Sequence, residues 1–371
     1  MSETKKNLTK ENLLKELPEM GKNLDAIRKG TNTELSADIS MAEVVNERYG
    51  ISMDRYLSTL GIDTRKDTLQ NLFTMPDQSV RWVVPEIIRA AITLGLRQAP
   101  FYPNIIAGDQ PVNGLQVTMP YINMSDAAPA RVNEAETIPL GTISYGQKQV
   151  SIFKIGKGIK ITDEVKNYVS LDVMGIFLRD FGIQLGYAMD NLAIDTGING
   201  DKIDGSESAP VIGVGTTSEG IQYRDLLRIW IRGSRMGRNF TSMIGGEDEA
   251  LDILDLPEFK VRSNGTTEAT LNLHTPVPNR ADFWIHGGIP ANQLMLIDKA
   301  AGMIKLTAQP LMLESERIVS NQTEAMYASL TTGFSKMYRD AIVMLDSSKA
   351  FSSNGFPDYM NLDPLMSVNL E

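Results

Sequence analysis

Tyr145–Val165 reads YGQKQVSIFKIGKGIKITDEV. It sets Lys148, Lys154, Lys157 and Lys160 among apolar residues, in a chain whose 46 acidic residues outnumber 36 basic ones and leave a formal net charge of -10. Val150 and Ile152 share one parity, and Phe153, Ile155, Ile159 and Ile161 share the other. Successive strand side chains point to opposite faces, so the buried face changes near Ile152, as when a strand passes from one environment to another. Gly156 and Gly158 are read as a bulge there. Upstream, Leu115, Val117, Met119 and Tyr121 alternate with Gln116, Thr118 and Pro120, the pattern of a half-buried strand. The two strands form a long hairpin of about 40 residues, and an isolated hairpin is marginal in water, so this one needs a partner surface.

Downstream the period changes from two to 3.6. Ser170 is read as the N-cap of a long helix, with Asp172 in its first turn and Gly197 as its stop. Leu171, Met174, Leu178, Phe181, Leu185, Met189 and Leu192 make one apolar stripe, and Ile176, Ile183, Tyr187 and Ile194 a second, nearly opposite. A helix with two apolar faces must be covered on two sides. Gly175, Gly182 and Gly186 line up beside the first stripe. Each costs about 1 kcal/mol relative to alanine in a helix, which close approach of another backbone would explain.

From Lys5 to about Leu72 the sequence reads as short helices broken at Pro18, Gly30, Gly50 and Gly61, with Ser40 and Glu43 in a capping-box pattern. This segment is polar and reads as an arm that packs on something else. VRWVVPEIIRAAITLGL then gives a dense apolar stretch. IQYRDLLRIWIRG and GEDEALDIL read as helices, VIGV, TSMIG and QLMLID as strands, and the text from Lys305 to Asp346 as mostly strand. The tail past Asp346 reads as irregular.

At 371 residues two or more subdomains are expected. No cysteine is present, which excludes disulfides, thiolate catalysis and cysteine-ligated metals and suits a reducing cytoplasm. The acidic balance argues against binding nucleic acid or anionic lipid over the whole surface. No apolar run approaches the roughly 18 residues of a membrane span, and the N-terminus lacks the apolar region of a signal peptide. A soluble product of the cytoplasm is expected.

Gly141–Gly146 has phosphate-loop glycine spacing, but Gln147 stands where the lysine must follow the second glycine, so no phosphate site is assigned. Asn199–Gly205 puts Ile203 at a ligand position of a calcium loop and is rejected. His274 and His286 read as ordinary loop histidines. Glu247, Asp248, Glu249, Asp252 and Asp255 read as a solvated helix face. Arg224, Arg228, Arg232 and Arg235, spaced four, four and three, fall within about 80° on one helix face. Three readings stay open for them: solvated arginines paired with nearby carboxylates, ion pairs across a subunit boundary, and contact with nucleic acid. Catalytic, cofactor and metal sites are all expected to be absent.

The span ARVNEAETIPLGTISYGQKQVSIFKIGKGIKITDEVKNYVSLDVMGIFLRDFGIQLGYAMDNLAIDTG, with the later VIGV, GGIPANQLMLID and RDAIVMLD, resembles the major capsid proteins of tailed bacteriophages with the Hong Kong 97-like fold. The resemblance covers about Pro76 to Asp346. It implies an α+β fold: an N-terminal arm over 1–75, the start of a peripheral domain over 76–114, and an extended hairpin loop over 115–158. The peripheral domain would continue with its spine helix over 159–207, an axial α/β domain would fill 208–300, peripheral return strands 301–346 and a tail 347–371. It further implies a homo-oligomer of pentamers and hexamers in an icosahedral virion shell, assembled in the bacterial host cytoplasm without a membrane. The shell would enclose double-stranded DNA with no sequence-specific binding, and portal, scaffold or decoration proteins would be its other partners. The loop would lie over a neighbouring subunit, so that Lys148, Lys154, Lys157 and Lys160 meet carboxylates across the boundary. Glu134 and Glu136 sit on the same loop, and Asp163 and Glu164 at its base. Cleavage of the N-terminal segment is not expected. Two rivals stay open: an encapsulin-type nanocompartment shell, and a soluble enzyme.

Overall fold

The computed structural model describes residues 10–28, 41–74, 83–98, 100–114, 116–124, 132, 134, 143–200, 208–256, 281–338, 340–357 and 360. The chain divides into two compact units, one of Met1–Pro100, Lys154–Met189 and Gln309–Thr331, the other of Phe101–Phe153, Asp190–Ala308 and Thr332–Glu371.

The first unit opens with helices α1 (Lys10–Arg28), α2 (Met41–Tyr49), α3 (Met53–Leu60) and α4 (Leu69–Thr74). The apolar residues of this segment are few, but they recur at helical spacing. Leu13, Leu17, Met20 and Leu24 of α1 are buried, as are Met41, Val45 and Tyr49 of α2 and Tyr56, Leu57 and Leu60 of α3. Tyr49 donates to Glu16 at 2.5 Å and lies 5.9 Å from the Tyr56 ring. The helices pack on one another and on the helix that follows, and their few apolar residues are buried because they recur at helical spacing. Pro18 does not break α1, because the buried face of the helix offsets the lost backbone bond. Gly50 and Gly61 do stop their helices, at φ 68° and 86°, where a side chain would be strained.

After the single turn α6 (Tyr102–Ile105) comes the short α7 (Asp163–Tyr168) and then α8 (Leu171–Asn199), beside which α5 (Val83–Gln98) packs. A Cβ on Gly182 would overlap the Ile92 carbonyl, and one on Gly95 the Arg179 carbonyl, so the two backbones touch at reciprocal glycines. Gly175 has nothing within 4 Å and takes no part. The first turn of α8 is held by the upstream segment: Leu171 N–H donates to the Asp67 carbonyl at 3.0 Å and Asp172 N–H to that of Thr64 at 3.1 Å. Those donors have no partner inside the helix, so the segment after α3 caps it. Leu171, Met174, Leu178, Phe181, Leu185 and Met189 are buried, which bears out the first stripe. On the second, Ile183 is half-buried beside α5, while Ile176 and Tyr187 are 67% and 49% exposed. Ile194, the last of that stripe, is buried, and among the described residues the upstream segment does not cover Ile176 or Tyr187.

Strands β1 (Gly108–Pro111), β4 (Phe153–Thr162), β9 (Met303–Ile318) and β10 (Thr323–Lys336) form one sheet in the order β1-β9-β10-β4. Among the described residues strand β2 (Gln116–Met124) pairs only with β3 (Ile143–Ser151), antiparallel, from Gln116 opposite Ser151 to Met124 opposite Ile143. The opening stretch is therefore two strands in two sheets, separated at Ile152 as its parity predicts. Val150 and Ile152 bury against Leu306. Gly156 and Gly158 make room for β10: a Cβ would meet Ser329 at 3.1 Å in one case and the Tyr327 ring at 2.8 Å in the other.

In the second unit β5 (Val211–Val214), β6 (Ser242–Gly245), β7 (Asp282–Ile285), β8 (Gln293–Ile297) and β11 (Ile342–Ala350) form a mixed sheet in the order β5-β11-β8-β6-β7. Strand β11 runs parallel to β5 and antiparallel to β8, so it joins this sheet and not β9 and β10, where the sequence reading put it. Helix α9 (Tyr223–Arg235) links β5 to β6 and α10 (Glu247–Asp255) links β6 to β7. Both crossovers join parallel strands in the same sense along the sheet, so right-handed connection places both helices on one side. Leu226, Ile229, Trp230, Ala250 and Ile253 meet Leu294, Leu296, Val343 and Leu345 there. The other parity is buried too, with Gly197 of α8 against Met295 and Ile342. Helix α8 ends at Asn199 with Gly200 at φ 76°, so Gly200, not Gly197, is its stop.

Candidate assembly surfaces

The lysines singled out in the sequence do not form one patch. Lys148 lies on β3 opposite Met119, and its side chain is outside the described residues. Lys154 and Lys160 are exposed on β4. Lys157 reaches its own helix α8, bonding the Gln184 side chain, with Nζ 5.8 Å from the Phe181 ring centre. Glu134 is exposed and Glu136 lies outside the described residues. At the base of β4, Asp163 pairs with Arg317 of its own chain at 3.1 Å, while Glu164 is exposed. Lys166, which no sequence signal marked, is buried and pairs with Glu324 at 2.7 Å.

The four arginines of the α9 face have different surroundings. Arg228 bonds buried Asp225 at 2.9 Å and its guanidinium sits 4.2 Å from the Phe351 ring centre. Arg232 lies 4.7 Å from the Phe356 ring centre and donates to the Met360 carbonyl at 3.5 Å. The described part of the tail is thus not irregular: β11 runs on to Ala350, a helical turn spans Phe351–Asn354, and Met360 joins the core. Phe351 and Phe356 meet edge to face at 5.3 Å. Arg228 thus meets a carboxylate and a ring of its own chain, and Arg232 a carbonyl and a ring of its own chain. Arg224 and Arg235 are exposed and, with Leu227, Ile231 and Phe356, line a groove of about 370 Å³.

Asp190 is a titratable residue that sequence reasoning missed. It is fully buried on α8, and its carboxylate accepts from the Phe101 N–H at 3.4 Å and the Tyr102 N–H at 3.0 Å. Burial raises its pKa from 3.8 to about 6, and the two backbone bonds only partly oppose this. Between those values the folded state keeps a proton that the unfolded chain releases. The group's contribution to stability is therefore largest below pH 3.8 and falls as pH rises to about 6. At about 1.4 kcal/mol per pH unit, the fall is about 3 kcal/mol. Thermal melts of Asp190→Asn should lack this part of the decline between pH 4 and 6; an unchanged profile would remove Asp190 as its source.

His286 lies 5.3 Å from the Phe101 ring, with burial lowering its pKa, and His274 is outside the described residues. Among the described residues no group of three potential metal ligands occurs, and no helix is long and apolar enough to cross a membrane.

No family model matches the sequence, and no curated protein does. Solved structures do. The virus-like particle from Pyrococcus furiosus superposes with a TM-score of 0.51 at 13% identity, over 70% of this chain and 98% of that one. A protein of Microbacterium phage Oxtober96 gives 0.49 at 12% identity, over 67% and 91%. The holo-SrpI encapsulin complex from Synechococcus elongatus PCC 7942 gives 0.45 at 11%, over 68% and 89%. The fold assignment rests on the first of these: the chain has the Hong Kong 97-like capsid fold.

Proposed function

We propose that this chain is the major capsid protein of a tailed phage, self-assembling as pentamers and hexamers into the icosahedral head around double-stranded DNA. The role is structural, not catalytic. The observation that carries it, beyond the fold, is the β2–β3 ribbon: nine paired positions whose strands bond only to each other among the described residues. Such a ribbon is stable only against a further surface, and in a shell that surface is a neighbouring subunit. In this reading residues 1–75 are the arm, 115–158 the extended loop, α8 the spine and the β5–β8 region the axial domain. Lys148, Lys154 and Lys160, with Glu134 and Glu136, face the neighbour. The portal and any scaffold or decoration proteins complete the particle, and assembly takes place in the host cytoplasm. A net charge of -10 suits a wall that must not hold on to packed genome.

The ribbon supplies the test. Val150 and Ile152 belong to the subunit core, so a replacement must stop short of them. Exchanging Val117–Gln149 for a short Gly-Ser turn should leave a folded subunit, by circular dichroism and cooperative melting, that forms no particles. Closed particles from that variant would contradict the assigned role of the ribbon.

A further inference from the structure

The two helices on the outer side of the five-stranded sheet carry opposite charge around exposed apolar residues. On α9, Ile231 is 64% exposed and lies among Arg224, Arg228 and Arg235 along the 370 Å³ groove. On α10, Leu251 is 69% exposed and lies among the exposed Glu247, Asp248, Asp252 and Asp255. At 100° per residue each set falls on one face of its helix, opposite the residues that enter the core. We infer that the outward face of α9 docks against the outward face of α10 of a second copy of this chain.

Charge selects this pairing over the alternatives. Two α9 faces in contact would oppose arginines to arginines, and two α10 faces carboxylates to carboxylates, so neither face is self-complementary. Only α9 against α10 brings opposite charges together and covers Ile231 and Leu251 at once, an apolar centre with a charged rim. Every copy carries both faces, so each can serve two neighbours in a heterologous contact, the kind that closes into rings. The cation–π contacts of Arg228 and Arg232 with Phe351 and Phe356 hold the groove's wall in place before a partner arrives. This inference rests on the shell reading for its setting, while its disulfide test does not.

The chain has no cysteine, so introduced thiols report cleanly. Ile231→Cys and Leu251→Cys chains are mixed and oxidised with diamide. The expected result is a covalent dimer containing one chain of each kind, well in excess of either like pair. Full-length Arg224→Glu/Arg235→Glu and Asp248→Arg/Asp252→Arg chains should each lose particle yield by at least about tenfold, equivalent to about 1.4 kcal/mol. Co-expressed as one doubly reversed chain, the four substitutions should restore it. Particles in the wild type without the mixed disulfide, or without rescue, would overturn the docking alone. The mixed disulfide without particles would overturn the shell alone.

Discussion

Phe181→Ala should cost the subunit roughly 3–5 kcal/mol, the usual range for emptying a buried aromatic site. Phe181 is buried in the middle of the α8 stripe between Leu178 and Leu185, with Lys157 over its ring. Truncation leaves a cavity beneath Lys157 of β4 that the surrounding side chains cannot fill without moving. At about 2–4 °C per kcal/mol, the melting temperature should fall by roughly 6–20 °C, or the protein should become insoluble. Phe177, one turn earlier on the same helix, is 63% exposed, and its alanine variant should shift stability by no more than about 0.5 kcal/mol. Equal losses from the two would mean that the burial assigned to α8 is wrong.

Gly182→Ala and Gly175→Ala should move stability in opposite directions. Both gain about 1 kcal/mol of helix propensity. At Gly175 the new methyl meets open space, so the gain stands. At Gly182 it strikes the Ile92 carbonyl, a backbone atom that yields only if α5 shifts as a whole. Overpacking of that kind typically costs about 1–3 kcal/mol, and backbone contact belongs at the upper end, so a net loss of about 1–2 kcal/mol or more follows. Urea melts of the two variants measure the difference. A stabilised Gly182→Ala would show that α5 and α8 do not touch there.

What could be read in the sequence was local in origin. The parity break at Ile152, the stripe from Leu171 to Met189, the α9 helix and the β8 strand each follow from side-chain period, and the structure has them where the period puts them. Errors arose where distant residues decide. Pro18 is tolerated because α1 buries Leu13, Leu17, Met20 and Leu24. Strand β11 looks like its neighbours β9 and β10 in sequence but finds its partners about 130 residues upstream in β5 and nearby in β8. Nothing in the spacing of Arg228 and Arg232 announces that Phe351 and Phe356 will lie over them. Asp190 reads as one more acidic residue near a helix end until Phe101 and Tyr102 donate to it. Polar residues used for contacts more than 80 positions away carry no periodic signature.

Electron microscopy of the purified full-length chain decides whether this subunit builds a closed shell. The expected result is hollow particles of uniform size with icosahedral symmetry, whose subunits contact their neighbours through the β2–β3 ribbon. A chain that stays monomeric at high concentration, with the ribbon folded back on its own subunit, would contradict it.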